Sequence, residues 1–300
     1  MSIKPYCLLL MKSDRRWSEH LIRKIEVLFN VIVLEALPVI KEVGFRGLSA
    51  KINTIILQDK IKVVFFSVDF FYGADLRFVL GISSGVKKVL LTFDDITLHE
   101  FNSITAIGCN LVLSADPISV LKYREQGVLA EYCPLESSSL VYKKLARAKS
   151  IDVLFFGNIE IADRAEQIEY LAGRGLTIEV VGENVRFIES NVLVQKICES
   201  KIVINFSKTG LIDNNSFRSS IDGYYWQLKG RIIESGLCGT LCVSEYSPGI
   251  RLLFSDDEVP IFANKEECYE LVSHYLSDEL GRQRVADNLH RKTIREYEDV

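Results

Sequence analysis

Short runs of β-branched and aromatic residues alternate along this chain with longer segments whose apolar positions recur every three or four residues. In the first half the extended runs are Tyr6–Met11, Val31–Leu34, Val63–Val68, Val89–Phe93 and Leu111–Ser114. Between them, WSEHLIRKIEVLF sets Leu21, Ile22, Ile25, Leu28 and Phe29 on one helical stripe. ADPISVLKYREQG predicts a helix with Asp116 at its N-cap, Pro117 at its first position and Gly127 as its stop. Alternation of this kind predicts a parallel sheet covered on both faces.

The pattern breaks at ESSSLVYKKLARAKS, residues 136–150, which is polar and basic with little periodicity. The expected organisation is a first domain over 1–140, a linker over 141–150 and a second domain over 151–300. In the second half IDVLFFG, LTIEVVG, KIVINFS, TLCVSE and VPIFA read as strands. DRAEQIEYLAGRG, SNVLVQKICES and two C-terminal segments read as helices. Between KIVINFS and TLCVSE lies KTGLIDNNSFRSSIDG, a long polar stretch rich in turn residues, and such loops in compact α/β domains are usually functional or mobile. One α/β pattern is used twice, so the fold class is α/β, with a cleft expected between the halves.

Composition narrows the function classes. Three hundred residues suit two domains of about 150 each. A net charge of −4, with 25% charged residues, gives no general attraction to nucleic acid, and no zinc or RNA-binding aromatic motif accompanies it. The seven cysteines are scattered among apolar runs and read as small core residues of a reducing compartment. The first residues lack the pattern of a signal peptide, and no apolar segment is long enough to span a bilayer. The expected location is cytoplasmic, with peripheral membrane association left open.

Ligands of open parallel sheets bind beyond the carboxyl ends of the strands. FFGNIE (Gly157, Asn158), VVGEN (Gly182, Glu183, Asn184) and INFSKTG (Asn205, Ser207, Lys208) are strand ends of this kind in one domain. A fourth junction, KGRIIESGLCGTLCVSEYSPG, brings Lys229, Arg231 and Glu234 to a short helix with a glycine stop. Together these are what a diphosphate and a ribose would require, although each alone also fits a turn or a solvated helix face.

The second half, in DVLFFGNIEIADRAEQIEYLAGRGLTIEVVG, KIVINFSK, KGRIIESGLCGTLCVSEYSPGIRLLF and NKEECYELVSHYLSDELGRQRVADNLHRKTIREY, resembles the donor-binding domain of spore-maturation-protein-type (CgeB-like) glycosyltransferases. LTFDDITLHEF and CNLVLSADPISVLKYREQGVLAEYCPLESS are similar to their acceptor-side domain. The resemblance implies the B-type glycosyltransferase architecture (GT-B), two Rossmann-like domains whose parallel sheets face across a cleft, with a donor domain similar to families 1 and 4. It implies a nucleotide-diphospho-sugar donor, a glycan or lipid-linked acceptor, and a role in surface polysaccharide or glycoconjugate synthesis. It also implies that Glu234 accepts the ribose hydroxyls and that Arg231, Lys229, Lys208 and Arg164 neutralise the diphosphate. Tyr224, Tyr225 and Trp226 are candidates to stack on the base, or core residues at a helix start.

One departure stands out. Many retaining members of the broader fold carry a second carboxylate eight positions before the one Glu234 matches, and here that position is Trp226. The stereochemical outcome is therefore open. Inversion would require a general base on the acceptor domain. Asp95 and then Asp94, after the strand VLLTF, are the preferred candidates, with Asp69, His20 and His99 behind them; an aspartate there also suits a helix cap. His274 and His290 read as surface or packing residues, and Asp256-Asp257-Glu258 as a solvated turn. No obligatory metal or other cofactor is expected. The competing readings are a sugar-nucleotide epimerase of the same fold and a non-catalytic sugar-nucleotide-binding or scaffold protein.

Overall fold

The computed structural model describes residues 4–11, 19–67, 76–135, 137–182, 188–209 and 225–299. They fall into two compact units, residues 1–136 and 137–299.

In the first unit the elements run β1 (Tyr6–Met11), α1 (Glu19–Glu26), β2 (Asn30–Glu35), α2 (Ala36–Gln58), β3 (Val63–Phe66), α3 (Leu76–Gly81), β4 (Lys87–Thr92), α4 (Asp95–Ala106), β5 (Leu111–Ser114), α5 (Pro117–Glu125) and β6 (Ala130–Tyr132). The strands form one parallel sheet in the order β2-β1-β3-β4-β5-β6. Side chains alternate across it as the pleat requires. Leu8, Leu10, Val64, Phe66 and Leu90 join one buried layer, while Cys7, Leu9, Met11, Phe65 and Leu91 join the other. That is why β1 is apolar at almost every position. The helix α5 begins as the sequence predicts: Asp116 accepts from Ser119 N at 2.8 Å, Pro117 opens the helix, and Gly127 follows it at φ +75°. Two features were not foreseen. The long α2 is broken at Gly44, whose φ of 66° no other residue adopts cheaply, and β6 is only three residues, Ala130 to Tyr132.

The second unit runs β7 (Ile151–Phe156), α6 (Arg164–Gly173), β8 (Ile178–Val181), α7 (Ser190–Glu199), β9 (Ser200–Asn205), α8 (Arg231–Leu237), β10 (Leu241–Glu245), α9 (Ile250–Leu253), β11 (Ile261–Phe262), α10 (Lys265–Ser277) and α11 (Glu279–Tyr297). Its sheet is also parallel, ordered β11-β10-β9-β7-β8. Val153, Phe155, Ile202, Ile204, Leu241 and Val243 face a layer that includes Val272 of α10 and Val285 of α11. The stretch expected to link the domains is fastened to this unit. Leu145 N donates to Cys198 Sγ at 3.4 Å, and Lys149 Nζ to Thr240 Oγ1 at 3.0 Å. The seven cysteines are free thiols. Among the described residues, no helix is long and apolar enough to cross a membrane.

The short helix α8 has too few residues to hold its own conformation in water. It is held by α11, which closes on it at Gly236. A Cβ built there would lie 2.5 Å from Thr293 Cγ2 and 2.9 Å from Leu289 Cγ. His290 belongs to the same seam, its Nδ1 2.7 Å from Gly236 O, a packing role and not the surface one that the sequence equally allowed. Gly236→Ala should therefore lower stability. The helix-propensity gain of about 1 kcal/mol is outweighed by overpacking worth about 1–3 kcal/mol. A reduced melting temperature checks this, and an unchanged or raised one would show that the seam yields.

Candidate functional site

The strand order of the second unit reverses direction between β7 and β9, because β8 lies beyond β7 on one side and β10 beyond β9 on the other. At such a point the connections leave in opposite directions and open a crevice at the carboxyl ends of the strands. Gly157 follows β7 at φ +130° and donates its N–H to Val181 O at 2.8 Å; Gly182 follows β8 at φ +86°. A Cβ on Gly182 would sit 3.4 Å from Gly157 N, and one on Gly157 would run into the Arg231 guanidinium. Backbone approaches the edge here as closely as glycine allows.

Arg231, the first residue of α8, laces the two strands at this point. Its Nε donates to Phe156 O at the end of β7, and its Nη1 to Asn205 Oδ1 at 3.0 Å at the end of β9. The guanidinium carbon lies 5.0 Å from the ring centre of Phe155. Planar forked donors suit this role. Asn205, fully buried, completes the lacing by donating to Ser207 Oγ at 3.1 Å and Ser244 Oγ at 2.8 Å.

Glu245, at the end of β10, plays the matching part for the connection after β9. Its Oε2 accepts from the backbone N–H groups of Ser207 (2.8 Å) and Lys208 (3.0 Å), and its Oε1 from Trp226 Nε1 (3.0 Å). Residues 207–209 and 225–227 form an antiparallel neck. Thr209 N donates to Tyr225 O at 2.8 Å, and Gln227 N to Ser207 O at 2.9 Å. Tyr225 and Trp226 thus precede α8 in extended backbone and do not start the helix. Glu245 carries no signal in the sequence, because a strand-end carboxylate looks like any other; its three donors lie 19 to 38 residues away.

The remaining donor-side candidates fall around this edge. Lys208 Nζ meets Asp163 Oδ2 at 3.1 Å, linking the segments after β9 and β7. Burial alone would raise the Asp163 carboxyl, but the hydrogen bonds from Lys208 and Gln167 and the Lys208 charge outweigh it and hold it below the ordinary value. The pair's contribution to stability is therefore present above the unfolded carboxylate range and is lost as the pH falls through the depressed native value. Arg164 opens α6 as expected, but its side chain is buried and its Nη1 donates to Asn158 O at 2.8 Å. Lys229 Nζ donates to Gln227 Oε1 at 3.2 Å. Glu234 is 8% exposed, on a helix buried from Ile232 to Leu237, and a Cβ on Gly230 would meet its Oε1 at 3.3 Å.

In the first unit the two aspartates part company. Asp94 is exposed at the N-cap position of α4, while Asp95 is fully buried. Asp95 Oδ1 accepts from Asn102 Nδ2 at 2.7 Å and Tyr123 OH at 2.8 Å; its Oδ2 faces Ser114 Oγ and His99 Nδ1, each at 3.5 Å. A base has to reach a substrate proton, and this carboxylate is turned instead into a polar knot joining α4, β5 and α5. Sequence spacing could not separate the two, because adjacent residues at a helix start point about 100° apart and either could face the core. Asp69, Glu183, Asn184 and Tyr224 lie outside the described residues. Among the described residues, no group of three His, Cys, Asp or Glu side chains is placed to hold a metal ion.

Residues 140–298 match the family model described as glycosyl transferase-like. No curated protein sequence matches the chain. Solved structures share its fold across nearly the whole length. Sucrose-phosphate synthase from Thermosynechococcus elongatus superposes with a TM-score of 0.65 at 9% identity, covering 98% of this chain and 95% of that one. Anabaena HepE, solved with UDP and glucose, gives 0.66 at 11% identity over 98% and 96%. A glycosyltransferase from Rickettsia africae gives 0.62 at 11% identity over 98% and 94%. The architecture is thus the GT-B fold, two parallel-sheet α/β domains.

The Glu245 fastening makes its own prediction. In Glu245→Gln one oxygen remains for three N–H donors, so at least one buried donor loses its partner. The expected loss is about 1–3 kcal/mol in urea unfolding. With Trp17 replaced by Phe, the emission of Trp226 should change wavelength in the same variant; unchanged emission would mean that the indole does not depend on this carboxylate.

Proposed function

This chain belongs to the glycosyl transferase-like family, and on that footing we propose that it moves a sugar from a nucleotide-diphospho-sugar to a glycan or lipid-linked acceptor, as in surface polysaccharide or glycoconjugate synthesis. Within the family we assign it to the CgeB-like type, on the run R-I-I-E-S-G-L-C-G from Arg231 to Gly239 and its place before β10. The observation that carries the reading is the β7/β9 reversal, where glycine turns, a lysine and a laced arginine gather at one carboxyl edge.

In this reading the bond from the anomeric carbon to the diphosphate oxygen breaks and a bond from that carbon to an acceptor hydroxyl oxygen forms. The hydroxyl proton passes to a base, and the diphosphate leaves carrying the electron pair. Charge grows on the leaving phosphate, so cations and backbone N–H groups fixed at this edge lower the barrier. Lys208 supplies an ammonium. Gly157 and Gly182 let the strand ends approach Arg231 and each other, and Arg231 and Asn205 keep β7 and β9 in place at this edge. Glu234 takes the ribose, and Tyr225 and Lys229 border the nucleoside. On the acceptor side Asp94 is the base we favour, and Asp95 keeps α4 in place behind it. The chemistry as written needs no metal.

Nucleoside diphosphates test the reading directly. At 100 times its dissociation constant a ligand adds about 2.7 kcal/mol of stability, which thermal melting detects. A shift with one of UDP, GDP, CDP, ADP or dTDP, with or without magnesium, is the expected result. No shift with any of them would remove the donor site. Glu234→Ala should abolish or shrink the ligand-induced shift measured against that variant's own melting temperature, which loss of a buried side chain lowers by itself. Binding without transfer to any acceptor would favour the scaffold alternative, which Trp226 in place of a carboxylate keeps standing.

A further inference from the structure

The cations around the β7/β9 reversal are not equivalent. Arg231 and Arg164 lie under the edge, donating to Phe156 O, Asn205 Oδ1 and Asn158 O. Lys208 stands higher, its side chain 25% exposed, and its partner is an anion: Asp163, 36% exposed, 3.1 Å away across the crevice. Asp163 has a second position available to it. It is the N-cap residue of α6, where aspartate ordinarily accepts from the free N–H groups of the first turn. Its side chain makes no such bond; Oδ2 holds Lys208 and Oδ1 accepts from Gln167 Nε2 at 3.2 Å.

We propose that Asp163 is an internal competitor for the donor's diphosphate: it holds the Lys208 ammonium where phosphate oxygens would bind it, and gives it up by turning to cap α6. The inference rests on reading this edge as the donor site. A carboxylate and a phosphate offer the same lysine the same kind of anionic oxygen, but a diphosphate carries more charge and prevails. The exchange keeps every charge partnered, since the first-turn N–H groups and the positive end of the α6 dipole receive the released carboxylate. Asp163 thereby sets how strongly the site holds a nucleotide.

The sign of the effect separates this role from a structural one. Removing a residue that merely supports the site weakens binding; removing a competitor strengthens it. Asp163→Asn keeps the capping ability and the size while removing the charge. Titration calorimetry with UDP, GDP, CDP, ADP and dTDP on the wild type, Asp163→Asn, Lys208→Ala and the double variant reads the effect. An exposed ion pair of this kind is expected to change affinity by about two- to fivefold. The expected result is tighter binding in Asp163→Asn and no gain from it in the Lys208→Ala background; binding by Asp163→Asn alone, where the wild type shows none, supports the proposal equally. Unchanged or weaker binding in Asp163→Asn, with the wild type binding normally, overturns the inference and leaves the donor site standing. A gain that persists without Lys208 also overturns it, since Asp163 would then act by repulsion and not through the lysine. Failure of all five nucleotides to bind either protein overturns the donor-site reading, and the inference with it.

Discussion

The lacing of β7 to β9 by Arg231 is the constraint on which the rest of the second domain's edge depends. A parallel sheet that reverses its order leaves two strand ends diverging, with carbonyl groups pointing out and no neighbouring connection to tie them. One guanidinium spans that gap, taking Phe156 O on one side and Asn205 Oδ1 on the other over the Phe155 ring. Half-burying such a charge costs less when its donors are met, and here one acceptor is a strand carbonyl while the other belongs to an amide itself tied to Ser207 and Ser244. The cost falls on an ordered edge, and in return the glycine turns after β7 and β8 stay at a set separation. Gly157 has to be glycine because that guanidinium occupies the space of a side chain.

Much of the architecture could be read from the residues. The strand-helix alternation gave both parallel sheets, and the Asp116-Pro117 start and Gly127 stop of α5 were legible because capping is a local matter of three or four residues. The same locality explains the failures. Nothing near Gly44 marks it as a break in α2, and Ala130–Tyr132 is too short to show a period of two. At the site, residue types were legible and their company was not. Lys208 and Arg231 stood out as cations, but that one meets Asp163 and the other Phe156 O is decided by the strand order, with partners 45 and 75 residues apart. Glu245 shows the limit most plainly, since its purpose exists only once the neck of 207–209 and 225–227 has closed.

The two domains use buried carboxylates in different ways. Asp95 is satisfied wholly by side chains and unites three elements of the first sheet. Glu245 is satisfied partly by backbone N–H groups and governs a connection, not a core. A buried acid met by hydroxyl and amide groups fixes how elements pack, whereas one met by main-chain donors fixes the path of a loop. Asp163 differs from both, being half-buried and held by one lysine and one amide.

The seam between α8 and α11 bears on how the protein is made. The helix that carries Arg231 and Glu234 is seven residues long and leans, through Gly236, on Leu289 and Thr293 of a helix that follows it by more than forty residues. A ribosome delivers the chain from its N-terminus. The first sheet and most of the second can assemble while synthesis continues, and α8 can meet β9 and β10 early, but the seam that closes on Gly236 waits until α11 emerges. The donor edge is therefore completed last, so a nascent chain has its framework well before it can hold a nucleotide.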